Sequence, residues 1–132
     1  MTTTINASTS SGIVATADGS GILKVQSNGV ATNALAWVNF DGTLASPTPS
    51  ASYNVTSITK NATGDYTINF TNAMSDVNYA AFFSARGSNP VATANESDTT
   101  NRTTSLIRML VGTSTTGVVA DRTRVSVAIF GN

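Results

Sequence analysis

The sequence predicts an all-β protein, an antiparallel β-sandwich of about 7–9 strands with an extended N-terminal arm. Three observations predict it. Helix formers are scarce, with one Glu, one Gln and two Lys in 132 residues. Thr, Val, Ile and aromatic residues, which suit a pleated, half-buried surface better than a helix, take their place. Their short alternating runs recur at about ten-residue spacing, divided by Gly, Asn, Asp and Ser.

At the N-terminus, two apolar runs at residues 12–15 and 21–25 are embedded in Ser, Thr, Asn and Gly and cannot close a core alone. Residues 1–34 therefore read as an arm that interlocks with a neighbouring subunit or docks on another protein, since unpaired strand edges seek pairing. Residues 35–132 read as the sandwich domain. Its first strand is Trp37-Val38-Asn39-Phe40, ended by the turn pair Asp41-Gly42. Residues 45–50 hold Pro47 and Pro49 and read as a connector that cannot continue a ladder.

The strongest local signal is a hairpin over about 53–71. Tyr66, Ile68 and Phe70 share one face while Thr67, Asn69 and Thr71 share the other. Residues 53–60 form its partner strand, with turn chemistry at 61–65. Residues 77–85 carry apolar side chains on both faces, which fits a central strand covered on two sides or a strand with one face in an oligomer contact. Residues 89–104 have Val91 as their one large apolar side chain before the next strand. They read as a polar loop, so that 87–104 is presented outward. Strands at 105–111 and 123–130 complete the sheets, with Val125, Val127 and Ile129 facing inward.

Composition excludes several kinds of chemistry. There is no His or Cys, hence no thiol nucleophile, disulfide, imidazole base or usual zinc site. Seven basic and seven acidic residues give zero net charge, which argues against a nucleic-acid partner. No apolar run approaches the length of a membrane span, so no membrane insertion is expected. Residues 1–4 have neither the basic nor the apolar region of a signal peptide, so the expectation is a protein made in a cytoplasm. Leu, Ile, Val and Phe total 29 residues, while Thr, Ser and Asn total 51. The core is thin for the length, and a surface with little charge to hold copies apart suits burial against other copies.

No catalytic, cofactor-binding or metal-binding residue is expected, and no cofactor. Four of the carboxylates, Asp18, Asp41, Asp65 and Asp76, stand in turn-like contexts where Asp bonds its own backbone. Gly19-Ser20-Gly21 lacks the rest of a nucleotide fingerprint. Arg102, Arg108, Arg122 and Arg124 read as solvated strand faces and rim contacts, or as contacts between subunits or to an anionic glycan. Trp37 and Tyr53 are candidates for stacking on a sugar, although a lone Trp in a β core is more often packing.

Several ordered segments carry a resemblance. Ala36-Trp37-Val38-Asn39-Phe40-Asp41-Gly42-Thr43, then residues 51–61, then Gly64-Asp65-Tyr66-Thr67-Ile68-Asn69-Phe70-Thr71 with Ala73-Met74 and Asn78-Tyr79, and the closing residues 125–132, resemble a module of bacteriophage tail-fibre and other virion structural proteins. Residues 10–13 and 18–26 are similar to the repetitive β segments that precede it in fibres. The resemblance implies a non-enzymatic virion structural protein, made in the host cytoplasm, that self-assembles as a homotrimer and is displayed on the particle. Its partners would be itself, other tail or capsid proteins, and a host surface glycan. A short fibre or tail tip, a capsid decoration protein bridging capsomers, and a free-standing carbohydrate-binding module remain the alternatives.

Overall fold

The structure is a computed structural model that describes residues 24–27, 30–86, 92–97, 101–113 and 116–131. Two antiparallel four-stranded sheets pack face to face, an all-β sandwich as the alternation predicts, and no α-helix occurs among the described residues. In chain order the strands are β1 (Gln26–Ser27), β2 (Val30–Ala31), β3 (Ala34–Phe40), β4 (Pro49–Tyr53), β5 (Val55–Ala62), β6 (Asp65–Phe70), β7 (Ala80–Ala85), β8 (Ala92–Glu96), β9 (Leu106–Thr113) and β10 (Val125–Phe130). The first sheet runs β4-β3-β10-β7 and the second β5-β6-β9-β8, while β1 and β2 form a separate small hairpin. Residues 1–23 of the arm lie outside the described residues, as do 87–91 and 98–100 of the polar segment.

The core is one layer of side chains between the sheets. Val38 and Phe40 of β3, with Val125, Val127 and Ile129 of β10, meet Tyr66, Ile68 and Phe70 of β6 and Ile107, Met109 and Val111 of β9. Phe40 meets Tyr66 edge-on with ring centroids 5.2 Å apart, and Phe70 meets Tyr79 likewise at 6.0 Å. The hairpin is β5 and β6, with Ile58 opposite Ile68. Leu35 and Ala36 are both buried although adjacent, because the pairing of β3 with β10 slips between Ile129 and Phe130.

Asn54 joins the sheets. It is the one non-glycine with positive φ among the described residues, at 54°, a conformation Asn adopts more readily than most side chains. That single residue turns the chain from β4 in the first sheet into β5 in the second. Its side-chain amide donates to the carbonyls of Leu35 and Asn72 at 3.1 Å each, and its Oδ1 accepts from the Asn72 backbone N–H at 2.8 Å.

Four expectations need correction. Pro49 lies in a strand, at the first position of edge strand β4 opposite Phe40, where a missing N–H is tolerated. The polar segment 89–104 contains β8, whose small Ala94 packs against the core without the bulky pattern that marks a strand. The strand at 77–85 is not central: β7 is an edge strand with Phe82 open to solvent. Asp65 is not a turn residue but a buried strand residue paired with Arg108.

Two substitutions test this frame. Ile68 is fully buried, so Ile68→Asp should cost about 4 kcal/mol or more and abolish cooperative thermal unfolding. Asn54→Ala should lower stability by about 3 kcal/mol, through unsatisfied backbone groups and the left-handed φ. Asn54→Gly, which loses the bonds but keeps the φ, should cost about 1 kcal/mol less in denaturant melts.

Candidate functional site

Strand alternation leaves each sheet an outward face, and the two faces differ. On the first sheet the registers place outward side chains in rows across the strands. One row is Tyr53, Trp37, Ala128 and Phe82, since Trp37 pairs with Tyr53 and Ala128 pairs with both Trp37 and Phe82. Beside it, Phe130 lies between Ala34 and Ala80. On the other side come Ala51, Asn39, Ser126 and Ser84. One step further, beyond the paired strand ends, the same alternation brings Asp41, Arg124 and Arg86, with the Arg86 N–H donating to the Arg124 carbonyl at 2.8 Å.

This face is apolar at one end and charged at the other. Phe82 is 62% exposed and Trp37 39%, and Phe82 meets Phe130 edge-on at 5.7 Å. The expectation that Trp37 packs in the core is therefore corrected: an odd-numbered position on β3 between inward Ala36 and Val38 must point outward. The structure brings Trp37 and Tyr53 together on adjacent strands, as stacking on a flat partner requires. The contribution of Phe82 and Phe130 was hidden in the sequence, because their juxtaposition depends on β7 pairing with β10.

The outward face of the second sheet is polar. Asn69 donates to Ser57 and Thr59, Asn61 donates to Asp65 and Thr67, and Arg108 crosses to Asp65. Leu106 and Leu110, on the same side of β9, are half-buried.

All five carboxylates among the described residues are engaged. Asp41 accepts from the Thr43 hydroxyl and backbone N–H, and Asp76 accepts from the Asn78 N–H, both as turn residues should. Glu96 takes two bonds from Arg102, whose guanidinium sits 4.6 Å from the Tyr79 ring centre. Asp121 accepts from Lys60 Nζ at 2.7 Å, from the Tyr66 hydroxyl at 2.6 Å and from the Gly64 N–H at 2.8 Å. Of the four arginines read as solvated, Arg102 and Arg108 are instead ion-paired. Arg122 is half-buried and donates to Thr113, leaving its Nε buried without a partner among the described residues. Arg124 alone of the four is solvent-exposed.

These pairings shift titration. The Arg108 guanidinium holds the Asp65 carboxyl below the usual carboxylate range, against the cost of burial. Burial pushes Asp121 up, but bonds from Lys60, Tyr66 and Gly64 outweigh it and leave it lowered. Burial raises the Tyr66 phenol, as does its bond to Asp121, and burial raises Tyr79 to about 12.

No protein-family model matches this chain, and comparison with curated proteins and with solved structures found no match.

The lowered carboxyls fix the sign of a pH effect. Their folded pKa values lie below the unfolded value near 3.8, so the stability they contribute is complete above it and is lost as pH falls through the folded values. The thermal midpoint should hold from neutrality to about pH 5 and drop steeply below about pH 4. Asp121→Asn should cost about 2 kcal/mol at pH 7 and flatten that acid limb in a pH series of melts.

Proposed function

We propose that this chain is a non-enzymatic structural protein of a bacteriophage particle that self-assembles as a homotrimer into a short fibre or tail tip on the surface. The observation that carries this reading is the outward face of the first sheet, where Trp37 and Phe82 are exposed and half-buried Phe130 packs edge-on against Phe82. Exposed aromatic patches of this kind mark interaction surfaces. The composition supports it as well: with 14 formal charges balanced at zero, little repulsion opposes packing of identical copies. The resemblance of residues 36–43, 51–61, 64–71 and 125–132 to the virion module supplies the particle context.

A carbohydrate-binding module is the second reading, favoured by the adjacent and partly exposed Trp37 and Tyr53. Particle imaging and mass measurement separate the two. Antibody to this chain should label intact phage particles at the tail, and the purified protein should sediment at about three times its 13.5 kDa chain mass. A stable monomer that binds glycans and labels no particle would replace the structural reading with the module. Labelling over the capsid would make it a decoration protein.

A further inference from the structure

The sandwich is closed along one side and open along the other. On the closed side β4 runs into β5 through Asn54 alone, so both sheets share one piece of chain. On the open side lie β7 and β8. There Ala81, Phe83 and Ala85 of β7 and Ala94 of β8 pack against the core but stay half-buried.

The hydrogen-bond phase of β7 follows from one bond. The Arg86 N–H donates to the Arg124 carbonyl at 2.8 Å, one step beyond the Ala85–Val125 pair. Bonded and unbonded pairs alternate along an antiparallel ladder, so Ala80, Phe82 and Ser84 exchange bonds with β10. Ala81, Phe83 and Ala85 then turn their N–H and C=O groups away from it, to an edge that no other strand occupies among the described residues. Arg102 takes the carbonyls of Val77 and Tyr79, which have the same phase just before the strand. The open stretch begins after it.

Sheet edges normally carry guards against pairing with other chains, and three of the four edge strands have them. β4 opens on Pro49, and its pairing with β3 slips between Asn39 and Phe40. β5 carries Lys60 and two slips against β6. β8 ends on Glu96, which is held by Arg102. β7 has none: Ala80–Ala85 includes no charge and no proline, and all six residues pair with β10 without a slip. A regular, unguarded edge beside a half-covered core is an acceptor for an added strand.

We infer that β7 accepts residues 12–15 of a neighbouring copy's arm as an antiparallel fifth strand of the β4-β3-β10-β7 sheet. The inference rests on the trimeric assembly proposed above and names the two surfaces that make it. One patch meeting itself joins copies only in twos, whereas a closed trimer needs a donor and a different acceptor. The arm suits the donor role by sequence. Ile13 and Ala15 alternate with Val14, so a strand here lays Ile13 over the half-buried row of Ala81, Phe83 and Ala85 and turns Val14 outward. Its point of departure suits the role too. Lys24 donates to Ser75 at 3.1 Å, in the turn that leads into β7. The chain from residue 15 to residue 24 extends about 30 Å. That exceeds the roughly 20 Å length of β7, enough to leave one sandwich for the next.

The chain has no cysteine, so an introduced pair reports contact without background. The full chain carrying Val14→Cys and Ser84→Cys is oxidised and its linked species are sized without reductant. Sedimentation, thermal melts and amide exchange compare the wild type with Ala81→Pro, which removes an outward N–H and leaves the β10 ladder intact. Disulfide-linked trimers are expected, and the Phe83 and Ala85 amides of the wild type should exchange about 100-fold more slowly than in Ala81→Pro. Ala81→Pro should melt cooperatively and sediment as a monomer where the wild type is trimeric. Ala85→Pro makes the same change at the strand's last residue if Ala81→Pro does not fold, and the cysteine pair and wild-type exchange need neither variant. A wild-type trimer that gives no cross-link and exchanges these amides rapidly, or that the proline leaves assembled, overturns the inference while self-assembly stands. Links confined within single chains, or between chains only in pairs, overturn it as well. A monomeric wild type at high concentration overturns the self-assembly reading itself.

Discussion

One carboxylate holds the two sheets in register at one end of the sandwich. Asp121 lies in the segment that crosses from β9 into β10, and it gathers Lys60 from β5, the Tyr66 hydroxyl from β6 and the Gly64 N–H from the turn between them. Lys60 also donates to the carbonyls of Gly42 and Leu44, and Tyr66 donates to that of Gly42, so the turn after β3 joins the same network. Gly42 has to be glycine for this to happen, because a Cβ there would lie 2.5 Å from the Tyr66 oxygen. Four separated segments thus converge on a few polar atoms, which must be bonded to one another because they are largely withdrawn from water. Once that knot is formed, β10 can pair with β3 and β7 only with Val125, Val127 and Ile129 inward. Ser126, Ala128 and Phe130 then face out.

The opposite end is closed by different chemistry. Arg102 reaches back to the carbonyls of Val77 and Tyr79 while bridged to Glu96, and the Tyr79 hydroxyl donates to the carbonyls of Thr103 and Leu106. A thin apolar layer is therefore bounded above and below by polar networks. That explains how 29 Leu, Ile, Val and Phe residues suffice for 132 positions. It also explains why Arg102 and Arg108 are not simply solvated: each finds its partner on another strand or on the far side of a turn.

Much of the fold was legible in the sequence because period-two alternation is a local property. Tyr66, Ile68 and Phe70 point inward by the same rule that spaces them, and the alternation of β10 is equally plain. What escaped depended on pairing between distant segments. β8 carries Ala94 where a bulky residue would have announced a strand, and its size becomes intelligible only against Val111 opposite. Asp65 looked like turn chemistry because Gly64 precedes it; only the pairing of β6 with β9 brings Arg108 within reach. Trp37 and Tyr53 were visible as candidates, but the face they share is completed by Phe82 and Phe130, whose placement follows from β7 lying beside β10.

The corner at Asn54 has a consequence for how the sequence can change. β4 ends at Tyr53 and β5 begins at Val55, so the edge strands of the two sheets are one continuous piece of chain with a single residue between them. Surface turns elsewhere can absorb extra residues with little cost. Here an inserted or deleted residue would displace β4 against β3 or β5 against β6 by one position and turn a whole row of side chains to the wrong side. The two sheets are therefore bound to vary together in length and phase along this edge, and lineages of this chain should accumulate insertions in the surface turns sooner than between Tyr53 and Val55.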